Sequence, residues 1–351
     1  AYLGLGQLAD AKEMLNTLEQ KQSNAQVYNG LALLALQENE ITTASQWIDK
    51  ALALEADNKT ALQLKAKIAN SEKKHSDALS LYKGLISSNP KDLTLTLERA
   101  ATLVALRRFE EAEKDIQPVL KKVPNQPQAE YLLAQIKLQQ GDLSEAKRAA
   151  QTVLNIVPGH TPSMLILGVV NLGQGHFNQA EKYIIQYLSS NPDNTNAQNL
   201  LAYVYLGQGK GEQALLILED IDEETRAQSP QILTTLGSAY LLQGDHEKGI
   251  EALTQARTLA PDSEVIQQRL VAGQYKSGNI DNAIEGLENM VSAGQGNTQA
   301  NYLLIVSYIQ KKEFAKAESQ IKTSLEKTPD DPGLYNLLAI VEKLNGHNDK
   351  V

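Results

Sequence analysis

A small residue recurs along the chain at Ala11, Ala44, Ala78, Ala112, Ala146, Ala180, Ala214, Gly249, Ala283 and Ala317, at intervals of 33 to 35 residues. A chain that resembles itself at such a period builds its core by stacking one unit on the next, not by closing a single globule. Twelve residues upstream, from the second anchor onward, stands a companion series: Ala32, Ala66, Ala100, Ala134, Gly168, Ala202, Gly237, Val271 and Ile305, continuing as Ala339. Twelve residues downstream, proline recurs at Pro90, Pro124, Pro158, Pro192, Pro261 and Pro329, while Ala56, Arg226 and Gln295 fill the remaining slots. Proline lacks an amide hydrogen and clashes inside a helix, so each period ends at a helix breaker.

The two small series mark where helix backbones approach closely, and Ile48, Tyr82, Ile116, Ile184, Leu218, Leu253, Leu287 and Ile321 fill the holes between them. Short turns such as Gly141-Asp142, Gly175-His176, Gly244-Asp245 and Gly278-Asn279 divide each period, the glycine supplying a left-handed cap and the Asp or Asn a cap for the next helix. Turns this short force antiparallel neighbours, so the predicted unit is a helix hairpin and the fold class all-α. Composition agrees, since Cys is absent and Pro (11) and Gly (22) are modest in 351 residues. Three departures carry their own expectations. Lys65 and Arg99 stand in a leucine slot. Val271 and Ile305 are bulky for theirs and should splay their helix pairs. The acidic stretch from Leu218 to Pro230 lacks the usual breaker and is expected to form the least stable junction, a hinge.

Reactive constellations are thin. His75, His176 and His246 fall in or beside the turns within units, and His160 lies in a loop between units. No His-Glu-x-x-His spacing exists, so no metal is expected. Gly207 to Glu212 is glycine-rich with Lys210, but it lacks the phosphate-loop spacing; the Gly4 to Gly6 run fails likewise, and no G-x-S-x-G elbow occurs. The chain is therefore expected to be neither an enzyme nor a cofactor carrier. A net charge of −9 without a basic stripe argues against nucleic acid, and no run approaches the ~20 apolar residues that insert into a bilayer.

The pattern resembles the tetratricopeptide repeat, a 34-residue helix–turn–helix unit. Residues 161–194 carry the resemblance at Leu167, Gly168, Gly175, Phe177, Ala180 and Pro192. It implies a right-handed superhelical α-solenoid: a partial repeat over 1–24, nine consecutive units over 25–331, and a partial repeat over 332–351. Tyr2 sits where a first helix carries its aromatic, so the chain is expected to be a segment of a longer array. In such folds the first helix of each unit lines a concave groove. Its inner positions assign Tyr131, Gln135, Leu165, Val169, Asn196, Asn199, Tyr203, Thr234, Ser238 and Gln268 to partner binding. Tyr131, Leu165 and Val169 suit packing between helices equally well; Asn199, Thr234, Ser238 and Gln268 have little packing value.

An apolar, amide-rich groove suits an extended peptide of a protein partner. It departs from the chaperone-adaptor type of the family, which grips a carboxylate with Lys, Arg and Asn; here Lys67 and Arg269 are isolated exceptions. Phrases such as "LTTLGSAYLLQGDHEKGIEAL" resemble the bacterial repeat lipoproteins of the exosortase sorting system and exopolysaccharide loci. That resemblance implies a periplasmic scaffold anchored by a lipidated N-terminal cysteine, in envelope protein sorting or exopolysaccharide assembly. The alternative is a module that binds polysaccharide through Tyr and Asn of the same surface.

Overall fold

The computed structural model describes residues 8–294 and 297–346, which form helices and, among them, no strand. Tyr2, the Gly4–Gly6 run, Gln295 and His347 lie outside the described residues. The chain divides into two compact units, Ala1–Val170 and Asn171–Val351. The first holds α1 (Leu8–Lys21), α2 (Ala25–Gln37), α3 (Ile41–Leu54), α4 (Lys59–Ser71), α5 (His75–Ser88), α6 (Leu93–Ala105), α7 (Phe109–Lys122), α8 (Pro127–Gln139) and α9 (Leu143–Ile156), and ends within α10 (Thr161–Gly173). The second holds α11 (Phe177–Leu188), α12 (Thr195–Gly207), α13 (Gly211–Asp220), α14 (Glu223–Gln228), α15 (Pro230–Gln243), α16 (His246–Leu259), α17 (Glu264–Lys276), α18 (Ile280–Ser292), α19 (Thr298–Gln310), α20 (Phe314–Lys327) and α21 (Pro332–Leu344).

Helix starts have a local cause. One register, 34 or 35 residues apart, holds Asn24, Asn58, Asp92, Gln126, His160, Asn194, Ser229, Ser263, Asn297 and Asp331. Nine of these ten accept a hydrogen bond from a backbone N–H in the first turn that follows, for example Val27 N–H to Asn24 Oδ1 at 2.9 Å and Ser163 N–H to His160 Nδ1 at 3.3 Å; Ser263 does not. Each satisfies an amide that the helix itself leaves orphaned. The turns within hairpins close through a left-handed residue. Gly141, Gly175, Gly209, Gly244 and Gly278 supply it in five of them, and Asn39, Lys73, Arg107 and Lys312 adopt the same conformation with φ of 57 to 62°. Asp142 and Asp245 then cap the next helix with their side chains, whereas Asn279 does not.

Packing follows the small residues. α2 packs on α3, α4 on α5, α6 on α7 and α8 on α9 in the first unit; α12 on α13, α15 on α16, α17 on α18 and α19 on α20 in the second. Ala32 against Ala44, Ala66 against Ala78 and Ala202 against Ala214 are fully buried at these crossings, with Ile48, Tyr82 and Leu218 buried beside them. At the crossing of α15 on α16 the two backbones nearly touch: a Cβ on Gly237 would lie 2.9 Å from the Gly249 carbonyl oxygen, and one on Gly249 3.0 Å from that of Gly237.

The departures are answered locally. Lys65 Nζ lies 3.1 Å from Asp49 Oδ1 on α3. Arg99 makes a two-pronged pair with Asp115 on α7, its Nε donating to Oδ2 at 2.7 Å. Opposite Val271 stands Gly286, where a Cβ would come within 2.6 Å of Val271 Cγ2; the glycine makes the room the valine takes. Ile305 is fully buried in the same cluster as Val271. The stretch expected to be a hinge forms the extra helix α14, capped by Asp222. Arg226, in the proline slot, donates to the Leu218 and Glu219 carbonyls at 3.4 and 3.2 Å and so closes the end of α13.

Candidate interaction face

On α12, Ala197, Leu201, Ala202 and Val204 are buried against neighbouring helices. Asn196, Asn199 and Tyr203 follow one another at steps of three and four residues and form a separate stripe. Asn196 is exposed, Tyr203 is 41% exposed, and Asn199 is half-buried with its Oδ1 shielded and without a hydrogen-bond partner. Thr234 and Ser238 of α15 are half-buried, and their hydroxyls donate to the Pro230 and Thr234 carbonyls at 2.5 and 2.7 Å. Each has thus spent its proton on its own helix and offers a partner only lone pairs.

The second unit joins three of its first helices through a residue that sequence reasoning set aside as an exception. Arg269 of α17 donates from Nη1 to Ser238 Oγ at 2.7 Å and from Nη2 to the Tyr203 hydroxyl at 3.4 Å, with its guanidinium carbon 5.7 Å from the Tyr203 ring centroid. Tyr203, Ser238 and Arg269 therefore share one face across α12, α15 and α17. Among the described residues no Asp or Glu pairs with Arg269, and its Nε is buried without an acceptor. Lys67, the other exception, is neutralised: Glu98 meets it at 2.9 Å and also accepts from Gln63 at 2.8 Å. The available signal was a lone arginine among otherwise uncharged inner positions.

Gln268 and Arg269 line a cavity of about 230 Å³ between α17 and α19, floored by Val271, Leu287, Met290 and Leu303, with Asn297 and Gln299 at its edge. Among the described residues that line it, Arg269 is the one charged side chain.

In the first unit, Gln135 donates to the Tyr131 hydroxyl at 3.0 Å, and the Tyr131 ring meets His160 edge-on at 4.9 Å. Burial lowers the His160 pKa below its usual value. Leu165 and Val169 lie one turn apart on α10, both half-buried. His75 donates from its ring Nδ1–H to Asn70 Oδ1 at 3.1 Å, and His176 is exposed. Among the described residues there is no cluster of His, Asp and Glu able to hold a metal, and no helix is long and apolar enough to cross a membrane.

Profiles of the tetratricopeptide repeat match residues 1–59, 69–136, 137–203, 171–238, 230–263 and 274–341. No curated protein matches the chain. Among solved structures, a chain of the APC/C hetero-tetramer Cut9–Hcn1 superposes with a TM-score of 0.58 at 16% identity, covering 95% of this chain and 66% of that one. Pseudomonas aeruginosa pilF gives 0.50 at 18% identity over 60% of this chain and 96% of its own. A tetratricopeptide repeat protein from Parabacteroides merdae gives 0.48 at 18% identity, covering 75% and 99%. At these identities the likeness is one of fold.

Proposed function

Because the chain belongs to the tetratricopeptide repeat family, we propose that it is a non-catalytic scaffold that holds an extended segment of a protein partner in the groove lined by its first helices. The observation that supports this most is Asn199 Oδ1, which has no donor and stands one turn from the exposed ring of Tyr203. Leaving that acceptor unpaired costs free energy, so a turn of the half-buried Asn199 side chain that brings its amide to the surface beside Tyr203 and onto the backbone N–H of an extended peptide is favourable. The aromatic ring beside it offers a surface for a peptide side chain.

The test is capture of the partner by the protein carrying Asn199→Ala together with Tyr203→Ala. Capture should be lost while the melting temperature stays nearly unchanged, since neither side chain fills the core; undiminished capture rejects this groove. The resemblance to the exosortase-system lipoproteins supports a periplasmic setting, with the partner drawn from envelope protein sorting or exopolysaccharide assembly, and a pull-down from a bacterial envelope extract checks it. Calorimetry against oligosaccharides and peptides separates the two ligand classes: heat with oligosaccharides alone makes the groove a glycan-binding module.

A further inference from the structure

A cavity of about 640 Å³ opens in the first unit between α5 and α7, the second helices of adjacent hairpins. Its charged lining is Lys83 of α5, Arg99 of α6, and Arg108, Glu111, Lys114 and Asp115 at α7. Both acids are already paired: Asp115 takes Nε and Nη2 of Arg99, and Glu111 takes those of Arg108. Each arginine keeps its Nη1 unused, and among the described residues Lys83 and Lys114 form no ion pair. The surplus of positive charge extends around the cavity. Residues 59–122 hold 13 Lys and Arg against 8 Asp and Glu, which leaves 20 against 34 for the rest of the chain. No basic run there exceeds two residues, so the sequence shows no stripe.

The second unit carries the complementary feature. Glu219, Asp220, Asp222, Glu223 and Glu224 follow one another with only Ile221 between them, all exposed, where α13 ends and α14 begins. Helix α14 packs on α15 but buries none of its own residues. Arg226 closes the end of α13, whereas Asp220 and Glu223 make no hydrogen bond or ion pair among the described residues. Separate single charges suit the cavity better than one phosphate does. Lys83 and Lys114 stand on different helices, and the two lining carboxylates repel a dianion about twice as strongly as they repel a carboxylate.

We propose that this cavity takes the acidic run Glu219–Glu224 of a second copy of the chain, so that the first unit of one molecule holds the start of α14 of another. Two copies of net charge −9 repel at long range, but salt screens that repulsion beyond ~8 Å at physiological ionic strength, and within that distance the opposed patches meet. The contact uses none of the residues assigned to the groove and does not rest on the peptide-binding reading.

The test is sedimentation equilibrium of the intact protein over a concentration series at about 0.1 M and about 1 M salt, between which the Debye length falls from ~10 to ~3 Å. The average mass should rise with concentration at the lower salt and stay that of a single chain at the higher. Lys83→Glu with Lys114→Glu, and separately Asp220→Lys with Glu223→Lys, should each weaken association at least about tenfold. All four side chains are exposed, so melting temperatures should be unchanged. Mixed together, the two variants should associate again, because each keeps the surface that the other has lost. A protein that stays monomeric at low salt, association that survives high salt, a variant that associates alone as the parent does, or a mixture that stays monomeric overturns the proposal. A monomeric protein that binds an oligoglutamate peptide through Lys83 and Lys114 overturns it too, and gives the cavity to a different acidic partner.

Discussion

Arg99 shows how a single charged side chain enters a slot built for leucine without breaking the hairpin. Its guanidinium remains 30% exposed while the Asp115 carboxylate is only 8% exposed, so the acid is the member that cannot fall back on water. Truncating one partner of a buried pair costs ~3–5 kcal/mol, and the exposure of Arg99 reduces this to about 2 kcal/mol for Asp115→Ala. Restoring the apolar slot with Arg99→Leu in the same chain should recover most of the loss, a comparison that urea denaturation of the single and double variants makes directly. His160 makes a second residue-scale case. Its Nδ1 accepts from the Ser163 N–H and meets Ser163 Oγ at 2.9 Å, which requires the neutral ring, and burial lowers its pKa below the usual 6.5. The unfolded chain therefore binds the proton more readily than the folded one, so this contribution is present above pH 6.5 and lost as pH falls below it. Melting temperatures recorded from pH 7.5 to 5 should fall, and His160→Asn, which keeps a capping acceptor without a titrating group, should flatten that part of the profile.

At the scale of the helix, bulk on one element is offset by its absence on the next. Val271 fills a position held by Ala or Gly in most other periods, and Gly286 across the α17–α18 crossing gives way to it. Gly286→Ala would gain ~1 kcal/mol of helix propensity, but its methyl would meet a β-branched side chain that is stiff in a helix, and overpacking costs ~1–3 kcal/mol. The net loss should be about 1 kcal/mol. Val271→Ala in the same chain should remove the clash, giving a favourable coupling of about 1–2 kcal/mol in a double-mutant cycle; purely additive effects would mean the two positions do not share their space. The crossings themselves were legible in the sequence because close backbone approach admits so few residue types that the period survives in plain view. The caps of the first helix of each hairpin were not, unlike those of Asp142 and Asp245 in the turns. Asn, Asp, Gln, His and Ser perform the same task in one register, and a requirement that five residue types can meet leaves no repeated letter. Helix α14 was hidden for a related reason: the acidic run from Asp220 to Glu224 matches a linker as well as a first turn, and only the reach of Arg226 to the α13 carbonyls distinguishes them.

For the molecule as a whole, the periodic pattern made the helical-repeat architecture legible and left the character of the face it presents less so. Inner positions can be counted along a repeat, but whether a charge there is neutralised depends on acids one unit away: Glu98 for Lys67, none for Arg269. That same dependence on near neighbours sets how damage spreads. Within each unit the helix packing runs from one helix to the next or next but one, apart from α12 on α15 where α14 intervenes and the Arg269–Tyr203 contact of α17 with α12, so stability is close to a sum of hairpins and the interfaces between adjacent ones. A lesion should therefore stay near its origin. In the Asp115→Ala protein, hydrogen exchange should accelerate in α6 and α7 and, more weakly, in α5 and α8, while the amides of α15 to α20 keep their protection. The contrast is with a globule closed around one core, where removing ~2 kcal/mol lowers the protection of all the most slowly exchanging amides together. Uniform acceleration across both units would show that the array opens as one cooperative body, and the nearest-neighbour account of its stability would then be wrong.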